Sequence, residues 1–214
     1  MKQLSANLYV YEDTCLVYVV RSGAEAVLVD FGSGSVLDEL HAVGIERVAA
    51  IVMTHHHRDQ GQGLPRAVEA GIPIHVPLTE RELFGRIDEH WQSREIINNY
   101  NMRQDRFSLL YSVPVAGTLN DYSRVRFGDR EYLVVPTPGH TIGSISLIAD
   151  IDGQATAFVG DLIAGPGKVW SLAATQWSYN DAQGAVASIA SLLDLKERAP
   201  HVLLPSHGQA MERP

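Results

Sequence analysis

The chain is short of thiols, of positive charge and of long apolar runs, and each shortage closes off a class of function. Cys15 is the only cysteine among 214 residues, so no internal disulfide can form and a thiolate metal site would lack its second sulfur. It lies in the run Cys15-Leu16-Val17-Tyr18-Val19-Val20 and reads as a buried strand residue. Lysine and arginine number 17 against 25 aspartates and glutamates, a net charge of -8. That balance repels a phosphate backbone and removes nucleic acid from the expected partners. No stretch approaches the roughly 18 apolar residues of a membrane span. The N-terminal Met1-Lys2-Gln3-Leu4-Ser5-Ala6-Asn7 has no apolar core ahead of a cleavage site. A cytoplasmic protein without a membrane partner is expected, and the sequence says nothing of its oligomeric state.

What remains is ordinary for a globular protein, 45% hydrophobic and 20% charged, and 1–214 reads as one domain. Three β-rich runs open it, Leu8 to Tyr11, Cys15 to Val20 and Ala26 to Asp30, as an antiparallel meander. A helix over Ser35 to Val43 ending at Gly44, a strand over Val48 to Met53, a helix over Gly63 to Ala70 and a strand over Pro73 to Val76 follow. Thr79 and Glu82 have the spacing of a capping box, and the pattern Leu83, Ile87, Trp91, Ile96, Ile97 predicts an amphipathic helix to Tyr100. This is expected to be a helical insertion over about 79–110. Strands return at Val125 to Phe127, Tyr132 to Val135, Ser144 to Ala149 and Ala155 to Val159, then a helix over Asp181 to Leu195 and a strand over Val202 to Leu204. The order implies an α+β fold of two β-then-α halves, with sheets face to face under outer helices. Because the sequence stops seven residues after His207, where a covering helix is expected, it reads as the N-terminal part of a longer protein.

The polar cluster Thr54-His55-His56-His57-Arg58-Asp59-Gln60 follows directly on an apolar strand. In an extended segment alternate residues share a face, so His55, His57 and Asp59 converge while His56 and Arg58 point away. Two imidazoles and a carboxylate so placed suit a divalent cation; the alternative is a solvated histidine-rich loop. Three further segments favour the cation. Thr137-Pro138-Gly139-His140-Thr141, Gly160-Asp161 and Ser206-His207-Gly208 each set an ionisable or ligating residue at the end of a predicted strand. His41, His56, His75, His90 and His201 have no motif around them and read as surface or packing residues. Arg58 and Arg66 stand near the cluster, and Trp170, Trp177 and Tyr179 could line a pocket or pack in the core.

Thr-His-x-His-x-Asp followed by Pro-Gly-His-Thr, Gly-Asp and Ser-His-Gly resembles the metallo-β-lactamase superfamily in order and spacing, from about Val27 to Gly208. The resemblance implies a four-layer αββα sandwich. It implies a first metal site of His55, His57 and His140, a second with Asp59 and His207, and Asp161 bridging the two. Asp30 would support the site by hydrogen bonding. Gln60 departs from the family pattern, since most members carry a ligating histidine there. A glutamine carbonyl is a weaker ligand, so the second site is expected to bind less tightly than the first.

Histidine and carboxylate ligands without thiolate suit zinc, iron or manganese, so the ligand set alone does not choose the metal; one or two zinc ions are expected, with iron or manganese as alternatives. The implied activity is hydrolysis of a small molecule by hydroxide generated at the cation, with Asp59 as the catalytic carboxylate. Pro138-Gly139-His140-Thr141 followed by Gly143-Ser144 is most similar to the glyoxalase II-like branch, which implies an ester, thioester or lactone substrate. Ala164 stands where the family's lactonases carry a tyrosine. Two other readings stay open. One is a mononuclear iron persulfide dioxygenase-like oxidoreductase using His55, His140 and Asp161. The other is a catalytically decayed metal-binding module.

Overall fold

The computed structural model describes residues 1–93, 107–169, 183–212 and 214. Two sheets carry the architecture. The first has seven strands in sequential order: β1 (Lys2–Ser5), β2 (Leu8–Glu12), β3 (Leu16–Ser22), β4 (Glu25–Val29), β5 (Arg47–Val52), β6 (Ile74–Pro77) and β7 (Gly117–Leu119). The second has six, from β8 (Arg124–Phe127) through β9 (Arg130–Pro136), β10 (Ile145–Ile151), β11 (Gln154–Gly160) and β12 (Val202–Pro205) to β13 (Met211–Glu212). Pairing is antiparallel from β1 to β4 and parallel from β4 to β7.

Side-chain alternation explains why the central strands read as continuous apolar runs. On β3, Val17 and Val19 enter the core on one face while Tyr18 and Val20 enter the core on the other. On β4 the same division separates Ala26 and Leu28 from Val27 and Val29. The second core is the layer between the sheets, where Tyr18, Val29 and Val52 are grouped with Tyr132, Leu147 and Phe158. Helix α2 (Leu64–Glu69) covers the outer face of the first sheet through Leu64 and Ala67, and α5 (Gln183–Glu197) covers the second through Leu195. The sheets and outer helices form the expected α+β sandwich.

Local differences have local causes. The segment Ser35–Val43 is a 3-10 helix, closed by Gly44 at φ 75. The edge strands β1, β7 and β13 were not evident in the sequence; β1 is largely exposed and short, and carries little apolar alternation. The expected helix from Thr79 is broken into a 3-10 turn (Leu78–Glu80), α3 (Glu82–Gly85) and α4 (Ile87–Ser93). Arg86, at φ -147, interrupts the helical path between α3 and α4, and no side-chain cap forms at the start of α3. The rest of that expected helix, with Ile96, Ile97 and Tyr100, lies outside the described residues. Cys15 is buried, one residue before β3.

Candidate metal centre

Strand ends gather the site. Asp30 follows β4, Thr54 and His55 follow β5, His140 follows β9, Asp161 follows β11, and Ser206 and His207 follow β12. The apolar strands fix these positions, and the polar residues begin where the strands stop. Asp30 sits at φ 57, a left-handed conformation that aspartate tolerates better than most residues. Its Oδ1 accepts the Thr54 N–H at 2.8 Å, and its Oδ2 accepts the Thr54 and Ser206 hydroxyls at 2.9 and 3.0 Å. Burial pushes the Asp30 carboxyl up to about 7, against the pull of those donors. Thr54 Oγ1 also lies 3.0 Å from His55 Nδ1. A hydrogen bond from Nδ1–H to that oxygen leaves the Nε2 lone pair facing inward.

Two clusters of ligating atoms result, one of His55, His57, His140 and Asp161 and the other of Asp59, Asp161 and His207. In the first, His140 Nε2 lies 2.8 Å from His57 Nδ1 and 3.1 Å from Asp161 Oδ2, and His55 Nε2 lies 3.8 Å from the same oxygen. These spacings bracket the roughly 3.3 Å that separates two ligands on one tetrahedral zinc. His55 Nε2 is buried and has no hydrogen-bond partner. Burial, reinforced by His140, lowers His55 to about 4 and moves His57 well below its usual value. Both rings are therefore neutral, which is the ligating form. Burial alone would raise Asp161, but its close contact with His140, and the nearby His55 and His207 rings, hold it well below the usual carboxylate range. An ionised carboxylate beside the neutral rings of His55 and His57, with the buried His55 Nε2 lacking a hydrogen-bond partner, fits a divalent cation.

The second cluster is more open. His207 Nε2 donates to Asp59 Oδ2 at 2.8 Å and lies 3.8 Å from Asp161 Oδ2. Burial would lower His207, but the hydrogen bond to Asp59 and the charge of Asp161 raise it on balance. Asp59 does not arrive by strand alternation. The extended backbone ends at His57, and Asp59 lies in the first turn of α1 (Arg58–Gly61), which turns it toward His207 rather than beside His55. Gln60 is fully buried; its Nε2 points at Asp161 Oδ1 at 3.5 Å and its Oε1 has no partner.

The sequence model of the Metallo-beta-lactamase superfamily matches residues 10–207. The chain belongs to that superfamily. The hydroxyacylglutathione hydrolase of Shewanella sp. (strain ANA-3) is 30% identical over 162 residues, which are 72% of this chain and 51% of that protein. This chain spans about half the length of the curated relatives it matches. In structure it is similar to the native FEZ-1 metallo-β-lactamase from Legionella gormanii, with TM-score 0.70 and 17% identity over 96% of this chain and 78% of that one. A Cronobacter sakazakii metallo-β-lactamase described by a HARLDQ motif aligns with TM-score 0.67 and 16% identity, over 95% and 79% of the two chains. Its motif ends in Asp-Gln, as does His55-His56-His57-Arg58-Asp59-Gln60 here. The superfamily and the fold are those implied by the motifs, and with the clusters they support binding of a divalent metal.

The histidines without motifs separate in space. His41 and His201 are exposed and His75 stacks edge-on to Phe127. His56 is buried, its Nδ1 3.0 Å from Glu80 Oε2. Arg66 pairs with Asp38 at 2.9 Å, while Trp170, Trp177 and Tyr179 fall outside the described residues. Sequence reasoning missed Thr54, Ser206 and Glu80. Each stands at or just past a strand end on the ligand-bearing side, and that position was the available signal. Among the described residues, no helix is long and apolar enough to cross a membrane.

Proposed function

We propose that this chain is a zinc-dependent hydrolase of small esters, thioesters or lactones. One observation carries the reading: three buried imidazoles converge with the ionised Asp161 at neighbouring strand ends. Similarity to a hydroxyacylglutathione hydrolase favours a thioester over the other substrates. His55, His57, His140 and Asp161 would hold the first cation, and Asp59, Asp161 and His207 a second and weaker one. When bound, the cation supplies Lewis acidity toward the scissile carbonyl and lowers the pKa of water.

The chain's own groups supply the rest. Asp59 accepts from His207 through Oδ2, and its side chain is 41% exposed. Its second oxygen can therefore orient water and take up a proton at the solvent side of the cluster. The Thr14 hydroxyl donates to the Asp59 backbone oxygen at 2.6 Å, which fixes that turn. Phe107, 39% exposed, sets its ring 6.0 Å from His57, an apolar neighbour for an acyl group. The test is turnover of a series of acyl thioesters and simple esters by zinc-loaded protein. Thioester cleavage that Asp161→Ala abolishes is expected. Stoichiometric iron with oxygen consumption on a persulfide, and no ester or thioester turnover, would replace this reading with the oxidative one.

A further inference from the structure

Glu80 is fully buried, carries a carboxylate and belongs to neither cluster of candidate metal ligands. Such a group is costly to bury unless its oxygens are engaged. They are engaged by the two loops that supply the histidines. Oε1 accepts the Gly143 N–H at 3.1 Å, and Oε2 lies 3.0 Å from His56 Nδ1. The His56 contact is close but too poorly aligned to count as a hydrogen bond. The Thr141 hydroxyl adds a further interaction. We infer that Glu80 is a positioning residue for the first metal cluster, a carboxylate clamp that holds the His55–His57 loop against the His140 loop without touching the cation.

The backbone on both sides fits this role. His56 lies between two candidate ligands, its ring 4.9 Å from that of His57. Fixing its side chain on the far side fixes the peptide planes from which His55 and His57 project. Gly143 is three residues beyond His140, and a Cβ there would come within 2.4 Å of Glu80 Cγ and 2.9 Å of Thr79 Cβ. Only glycine admits so close an approach. At the other end of the same loop, Gly139 (φ 146) presses on α5, where a Cβ would meet the Ser188 hydroxyl oxygen at 2.0 Å. The Ser191 hydroxyl donates to Pro138 O at 2.8 Å. The His140 loop is thus braced by α5 on one side and by Glu80 on the other, and the Glu80 brace reaches the second histidine loop, which is also tied to the start of β10 by the Ile145 N–H donating to Thr54 O at 3.0 Å.

The inference rests on the proposed function, and its test separates the two. Cobalt(II) and zinc affinities of the full chain are measured by chelator competition, together with the visible cobalt spectrum and the melting temperature. Glu80→Ala is expected to weaken the first equivalent by about 10–100-fold and to change the ligand-field bands. Glu80→Gln, which keeps an oxygen for the Gly143 N–H, should lose less, and His56→Ala should move affinity in the same direction. The weaker second equivalent should stay put. A lower melting temperature with unchanged affinity and spectrum would mark Glu80 as merely structural and overturn the inference alone. Should Glu80→Ala fail to fold, unchanged first-site affinity in both Glu80→Gln and His56→Ala overturns it equally. Wild-type protein that takes up no cation would remove the proposed function, and the inference with it.

Discussion

The two halves of the candidate centre share Asp161 and differ in nearly everything else. His55, His57 and His140 are buried, and the loops bearing them are tied by Thr54 to Asp30 and by Glu80 to Gly143. Asp59 and His207 sit nearer solvent and hold one another at 2.8 Å. Beside them stands the buried amide of Gln60 rather than an ionisable group. The first half is buried and preorganised, and the neutral rings of His55 and His57 need only their lone pairs to bind. In the second half a bound cation must displace the proton that the Asp59–His207 contact holds. This difference in burial and ligand basicity predicts unequal affinities in a centre whose parts come from equivalent strand ends.

Removing the shared ligand should break the comparison most severely. Asp161→Ala is expected to weaken both sites and cut hydrolysis by about 10³-fold or more, several kcal/mol of transition-state stabilisation; kcat/KM and metal content measured together check it. His207→Ala should leave the first equivalent in place and weaken the second by at least about 10-fold, read by calorimetric zinc titration. Gln60→His sharpens the contrast in the other direction. An imidazole in place of a neutral carbonyl should tighten the second equivalent by about tenfold, some 1.4 kcal/mol, and narrow the gap between the two steps. The smallest effect belongs to Ser206→Ala, which removes one donor from the buried Asp30. A loss of about 1–3 kcal/mol should lower the melting temperature by several degrees while leaving metal stoichiometry unchanged.

The sequence made the centre legible where side chains follow from backbone periodicity. His55 and His57 alternate on one extended segment, and Asp161, His140 and His207 stand just past apolar runs that could only be strands. Asp59 shows where that reasoning stops. Its place depends on the backbone turning helical at Arg58, and a short polar helix of four residues has no periodic signature. Glu80 was hidden differently. Its neighbours Thr79 and Glu82 imitate a helix start, but Thr79 falls in a 3-10 turn that sends Glu80 inward, and Glu82 opens the separate short helix α3. Its partners, 24 and 63 residues away in the sequence, meet it only through tertiary packing. The edge strands β1, β7 and β13 were likewise invisible, because two to four residues with one or no buried face leave no alternation to read.

The central claim is that one tight and one weaker cation site share Asp161. It is tested most directly by zinc titration of the metal-stripped full chain against a chromophoric chelator. The account predicts one equivalent bound tightly and a second bound at least about tenfold more weakly. Two equivalents of equal affinity, or none, would contradict it.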